Sequence, residues 1–540
     1  MKHCAPFQAR GGLAGETLAG ETITGEAMIA TSHPVATTTG LRCLLEGGNA
    51  VDAALSACAV LSIAEPHMTG IGGDCFALVM PPDAPEPYAL NGSGRAPKRA
   101  TIEALQSLGV DQLEPHSPHS VTIPGAVSGW WSLHQRFGRK DWDQILQPAI
   151  KYAAKGIGVH ARVAWDWSLD WSNLTKDPDT ASIYLHNHQP YGFGMRFANP
   201  TLAETLNLIA DQGPDGFYQG AVRDDLLGKL NRLGGLHCED DFATIAAEFL
   251  DPIATDALGH TIWQCPPNGQ GLAALVLVRI LERFEFETLD SADQIHLLAE
   301  AGKQAYHLRD QSIADPDFIC VPIEELLADG NIAALADQID MHKARTASPS
   351  LLPTHPDTVY LCVVDGDGMA VSLMSSIFDS FGSAITAPKS GMLLHSRGRS
   401  FSLDPTHPNA LEPGKRPLHT IIPAMLGKDQ RLAGPFGVMG GQYQVIGQAG
   451  FLLNHFCNGM NVQAALDAPR SFAFDGVLQL ESGLDSQIVT DLAARGHQIV
   501  QGSPRRPIML GGGQAIMRNH ETGLWHGGSD PRKDGMVAGF

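Results

Sequence analysis

The sequence predicts a chain of mixed α/β class (α+β), with helices packed in layers on strands, and three observations predict it. First, the runs 358–365 and 369–374 are rich in β-branched and apolar residues and flank Asp365-Gly366-Asp367-Gly368, so they read as a hairpin. Second, between residues 140 and 350 apolar side chains recur at three- and four-residue spacing, as in 142–155 and 291–314, which is the helical period. Third, Phe436-Gly437-Val438-Met439 runs into Gly440-Gly441 and then a helix-patterned stretch over 443–456. Strand and helix therefore alternate within one chain.

Taken in order, the chain opens on a short imperfect Gly-Glu-Thr repeat over 15–26. With residues 1–27 as a whole it is expected to be a disordered leader. Met28-Ile29-Ala30 opens the first strand, and a helix over 35–46 stops at Gly47-Gly48. Asn49 caps a second, alanine-rich helix reaching Ile63. Gly70-Ile71-Gly72-Gly73 leads into the strand 75–80, and the absence of a following Gly-Lys-Ser/Thr makes it a tight turn, not a phosphate cradle. The helix over 291–314 should end there, because Pro316 disfavours helix at the residue before it. Trp165, Trp167 and Trp171 read as helical packing or a surface insert, since nothing beside them looks like a sugar site.

The bulk numbers exclude several functions. With 44% hydrophobic and 18% charged residues the chain is an ordinary globular one, long enough at 540 residues to bury a large core. A net charge of −21 argues against nucleic acid and anionic membrane as partners. Nine cysteines without a CxxC pair read as free buried thiols. The first residues lack the apolar core of a signal peptide, and the longest apolar run, 53–64, is too short to span a bilayer, so the cytoplasm is the expected compartment. The 22 histidines form no His-Glu-x-x-His and no Cys/His quartet, so no metal is expected. A Gly-x-Ser-x-Gly elbow is also missing.

Thr358 is where chemistry becomes legible. The preceding stretch, 346–357, holds three prolines and has neither a helical nor a strand period. A chain cut between Asp357 and Thr358 would expose an N-terminal threonine whose α-amine, with an unperturbed pKa of about 7.7–8.0, can take the proton from its own hydroxyl. From the residues alone, the commoner reading of Thr358 is an ordinary strand-opening threonine. Gly440 and Gly441, between a strand and a helix, can likewise be a simple turn or a pair of amides aimed at developing negative charge.

Resemblance separates these alternatives. Thr358-Val-Tyr-Leu-Cys-Val-Val-Asp365 is similar to the start of the small subunit in the γ-glutamyltransferase (glutathione hydrolase) family, where Thr-Thr-His-x-Ser-Val-Val-Asp is usual. Lys415-Arg416-Pro417-Leu418 with Pro423, Gly440-Gly441, Asp467-Ala468-Pro469-Arg470 and Ser529-Asp530-Pro531-Arg532 resemble further motifs, as do Gly47–Ala54 and Gly70–Gly73 upstream. The resemblance implies an N-terminal-nucleophile hydrolase fold, a four-layer αββα sandwich. Residues 28–357 would be the large subunit and 358–540 the small one, cut from one precursor. It also implies Thr358 as nucleophile, Gly440 and Gly441 as oxyanion donors, self-cleavage between Asp357 and Thr358, a small-molecule amide substrate, and no cofactor; further oligomerisation stays open.

The chain departs from the family at the substrate's polar head. The family's Asp-x-Arg-Glu-x-Ala-Pro becomes Asn91-Gly92-Ser93-Gly94-Arg95-Ala96-Pro97, with Ser93 at the arginine position and Arg95 two residues on. Its Asn-Gln-x-Asp-Asp-Phe-Ser becomes Ser396-Arg397-Gly398-Arg399-Ser400-Phe401-Ser402, so both acids give way to arginines, and its Ser-Ser pair becomes His419-Thr420. The expected substrate-binding set is therefore Arg95, Ser376, Arg397, Arg399, His419 and Thr420. Like charges about 4 Å apart repel by roughly 4 kcal/mol at an effective dielectric near 20, so an α-ammonium beside Arg397 or Arg399 loses affinity. A carboxylate gains it. Each arginine can instead turn outward into solvent. The reading is a self-processing amide hydrolase acting through an acyl-enzyme, with water or an amine as acceptor. Its substrates are γ-glutamyl or related carboxylate-bearing amides, or non-glutamyl amides of the oxamate or glutaryl type. A non-catalytic scaffold is the remote alternative.

Overall fold

The computed structural model describes residues 20–346, 358–503 and 508–540. Fourteen strands build two seven-stranded sheets. In chain order they are β1 (Thr22–Thr24), β2 (Met28–Thr31), β3 (Asp74–Met80), β4 (Tyr88–Gly92), β5 (Glu248–Leu250), β6 (Ile253–Ala257) and β7 (His260–Gln264). Then come β8 (Val359–Val364), β9 (Ala370–Ser376), β10 (Ala424–Lys428), β11 (Arg431–Met439), β12 (Gly512–Arg518), β13 (Trp525–Ser529) and β14 (Met536–Gly539). One sheet has the order β14-β2-β8-β9-β3-β4-β5 and the other β1-β13-β12-β11-β10-β7-β6. The expected 358–374 hairpin is β8–β9, and it lies at the centre of its sheet.

The sheets stack face to face, with β8 and β9 against β11 and β12. Tyr360 marks the contact: a Cβ on Gly437 of β11 would meet its ring at 2.7 Å, so the glycine makes room for the aromatic side chain. Helices α1 (Pro34–Leu45) and α2 (Ala50–Ala64) cover the outer face of the first sheet. The Asn49 cap is a full capping box with Asp52, which fixes where α2 begins. Helix α3 (Trp142–Lys155) packs on α2. On the other side α4 (Gly271–Leu281) and α6 (Gln444–Leu452) cover the second sheet, and α5 (Ser291–Ser312) packs on both of them. The layers are helix, sheet, sheet, helix, as expected.

Two expectations change. Residues 22–24 are not part of a disordered leader but form β1, which pairs with β13 because Glu21 is tied to Val462 and His526. Residues 1–19 and the expected processing stretch 347–357, Asp357 included, lie outside the described residues. The tryptophans divide: Trp167 is buried against Phe197, Phe381 and Tyr191, whereas Trp171 is exposed. Among the described residues there is no disulfide, and no helix is long and apolar enough to cross a membrane.

Candidate active site

One row of side chains crosses the first sheet. One position beyond the Val359–Ser375 pair, Thr358 lies opposite Ser376 at the end of β9, and Ser376 pairs in turn with Asp74, the first residue of β3. Opposed residues in an antiparallel sheet point to the same face. Tyr360, two residues on from Thr358, turns toward the second sheet, so the row does too. Thr358 Oγ1 lies 3.3 Å from Ser376 Oγ, and both residues are fully buried.

Behind this row stands Arg397. It lies in a 3₁₀ turn (Arg397–Ser400) and is fully buried. Its Nη2 donates to Ser376 Oγ at 3.3 Å and its Nη1 to Thr420 Oγ1 at 3.0 Å, while its face lies 4.4 Å from the Phe378 ring centre. Burial pushes the guanidinium down to about 9 and Asp74 opposes that shift, so it is a cation at neutral pH. Asp74 is the compensating charge, with Oδ2 at 3.9 Å from Arg397 Nε. Its Oδ1 accepts from the Gly94 and Gly125 amides, while Oδ2 lies 3.3 Å from His419 Nε2 and 3.4 Å from His395 Nδ1. Burial alone would raise the Asp74 pKa, but the two imidazoles hold it well below the usual carboxylate range. His419 is pushed down to about 3 by burial and by Arg397, so it is a neutral imidazole. Its Nδ1 accepts from the Ile421 amide, which leaves Nε2–H for Asp74.

The oxyanion candidates sit where β11 ends. Gly440 has φ 125° and Gly441 φ 57°, values that a side chain rarely adopts, and a Cβ on Gly440 would stand 2.7 Å from Gly511 Cα. The Gly440 carbonyl accepts from the Tyr443 amide, which fixes the plane of the 440–441 peptide and hence the direction of the Gly441 N–H. Among the described residues, neither the Gly440 nor the Gly441 N–H donates to another group. Gln270 ties this turn to the Thr420 segment: its Nε2 donates to the carbonyls of Thr420 at 2.8 Å and Gly441 at 3.2 Å, while Arg309 holds its Oε1 at 2.8 Å.

The predicted substrate residues separate into two groups. Ser376, Arg397, His419 and Thr420 converge around the Thr358 row. Arg399, two residues past Arg397, points elsewhere and pairs with Asp379 at 2.5 Å. Arg95 also points elsewhere, toward Glu248, Asp315 and Asp317. At the position where the resemblance places arginine, Ser93 is buried and accepts from Asn268. Asp74, His395 and Gln270 were not among the residues sequence reasoning singled out. An acid opening the apolar run Cys75–Met80 was the available signal for Asp74. Among the described residues one group could hold a metal, His296, Glu300 and His497. Its donors are already committed, since Lys303 binds Glu300 at 2.6 Å and the imidazoles bond to each other at 2.8 Å.

The chain as a whole is similar to known proteins. The gamma-glutamyltranspeptidase family profile matches residues 36–540. A glutathione hydrolase-like proenzyme, YwrD of Bacillus subtilis, is 34% identical over 528 residues, covering 95% of this chain and 98% of its own. The oxamate amidohydrolase proenzyme of Klebsiella pneumoniae is 33% identical over 525 residues, with coverages of 95% and 98%. The crystal structure of cephalosporin acylase from Bacillus halodurans superposes with a TM-score of 0.91 at 36% identity, covering 100% of this chain and 99% of that one. With a family profile spanning nearly the whole chain and an N-terminal-nucleophile hydrolase fold, this protein belongs to the gamma-glutamyltranspeptidase family and is an amidohydrolase of that family.

Proposed function

We propose that the chain cuts itself before Thr358 and then hydrolyses amides whose acyl group carries a carboxylate but no α-ammonium. In the intact chain the Thr358 nitrogen is an amide. Cleavage turns it into an amine that can take the hydroxyl proton as Oγ1 attacks the substrate carbonyl. The Gly440 and Gly441 amides receive the oxyanion, the protonated amine serves the leaving group, and water releases the acyl group by the reverse route. Residues up to 357 and from 358 would remain together as large and small subunits. The proenzyme names of the two curated relatives support the self-cutting step.

The observation that carries the substrate reading is that Arg397, buried and cationic, is one hydroxyl away from Thr358. A second reading, a γ-glutamyl substrate, has Asp74 in its favour as an acid in the same pocket. Asp74 Oδ1 is already taken by the Gly94 and Gly125 amides, and an ammonium at the Nη edge of Arg397 would be repelled. Two matched pairs separate the readings: succinyl- against β-aspartyl-p-nitroanilide, and glutaryl- against γ-glutamyl-p-nitroanilide. Each pair differs only by the ammonium. The proposal expects kcat/KM at least tenfold higher for the member without it. A preference for the aminated member in both pairs would overturn the proposal and favour the γ-glutamyl reading.

A further inference from the structure

We propose that the acyl pocket is short, sized for amides of two- and three-carbon dicarboxylic acids, the oxalyl and malonyl classes, and not for five-carbon chains. This rests on the reading that Arg397 receives the acyl carboxylate. The ruler is the pair of hydrogen bonds running from nucleophile to cation. Thr358 Oγ1 to Ser376 Oγ and Ser376 Oγ to Arg397 Nη2 are each 3.3 Å, so the nucleophilic oxygen and the guanidinium are separated by at most about 6.6 Å.

Arg397 cannot retreat to lengthen this gap. Its guanidinium is held by Thr420 and Ser376 at one edge, by Asp74 at 3.9 Å near Nε, and by the Phe378 ring on its face. The two polar contacts use one N–H of each terminal nitrogen, which leaves the second N–H of each for a ligand.

Both ends of the gap have fixed costs in length. The hydroxyl attacks a carbonyl from about 3 Å, across its face and so at a steep angle to the acyl chain. A carboxylate oxygen sits about 2.8 Å from the guanidinium nitrogen. What remains between carbonyl carbon and carboxylate oxygen is roughly 2–4 Å, since about 6.6 Å is the upper limit of the gap. Oxalyl and malonyl groups span that distance extended. Each further methylene adds about 1.3 Å, so a succinyl group must bend and a glutaryl group must fold back against the Ser376 and Thr420 hydroxyls.

The test uses the full chain after processing and the mono-p-nitroanilides of oxalic, malonic, succinic and glutaric acids, with the uncharged butyryl anilide as control. The expected kcat/KM is highest for oxalyl or malonyl and at least tenfold lower for glutaryl. In Arg397→Lys, whose charge ends nearer the backbone, the optimum should move toward succinyl. A glutaryl rate equal to the malonyl rate, but above butyryl, overturns the short pocket and leaves the role of Arg397 standing. A butyryl rate equal to all four overturns both. An unchanged length profile in Arg397→Lys removes Arg397 as the ruler.

Discussion

The two ends of the site are built by opposite strategies. The reacting end is backbone and one side chain: Thr358 at the start of a central strand, and two glycine amides held open at the end of another. The acyl end is side chains from segments far apart in sequence. Asp74 opens β3, Arg397 lies in a 3₁₀ turn, and His419 and Thr420 lead toward β10. Amides at a glycine turn serve any carbonyl, so that end fits the chemistry shared by the family. A buried guanidinium whose charge is balanced by one buried carboxylate fits only certain acyl groups, so in the proposed function that end sets which amide is cut. Removing Asp74 while leaving Arg397 would strand a buried cation, which is why the two are best regarded as one unit.

Variants can break each end separately. The largest effect is expected at the turn. Gly441→Val places a β-branched side chain at φ 57° and should lower kcat by about 10²–10³ on every substrate alike, with Gly441→Ala as a gentler companion. Equal turnover in both variants, with circular dichroism unchanged, would move the oxyanion site elsewhere. At the acyl end, Arg397→Gln removes a charge-assisted contact of about 1.5–3 kcal/mol, so kcat/KM for carboxylate-bearing anilides should fall roughly 10- to 100-fold while the butyryl anilide changes little. The smallest effect is expected two residues away. Arg399→Gln loses its pairing with Asp379 and its donation to the Leu113 carbonyl, and should stay within about twofold on all substrates. If Arg399→Gln alters acyl selectivity as much as Arg397→Gln, the division between the two arginines is wrong.

That pair also shows what could and could not be learned from the sequence. Arg397 and Arg399 are indistinguishable as letters, and either could have faced the pocket. They separate because residues 397–400 form a 3₁₀ turn, in which positions two apart point well away from each other. The proposed reacting end could be read from the sequence because Thr358, Gly440 and Gly441 sit in contiguous motifs with local consequences. The helix over 142–155 and the Asn49 cap were legible for the same reason: period and capping are local signals. Asp74 was not. One acid before six apolar residues leaves the strand pattern intact, and its side-chain partners lie more than 300 residues away. Gln270 was hidden similarly, since its importance lies in which two carbonyls it bridges. Arg95 misled because an arginine near the expected position says nothing about the carboxylates that claim it.

The central claim, that Thr358 becomes an N-terminal nucleophile by the chain's own action, has a direct measurement. Purified protein is run on a denaturing gel beside Thr358→Ala, and the smaller fragment is sequenced from its N-terminus. The account predicts two bands in place of the 57.6 kDa chain, the smaller beginning Thr358-Val359-Tyr360, and a single uncut band for Thr358→Ala. Cleavage of Thr358→Ala at the same bond would contradict it.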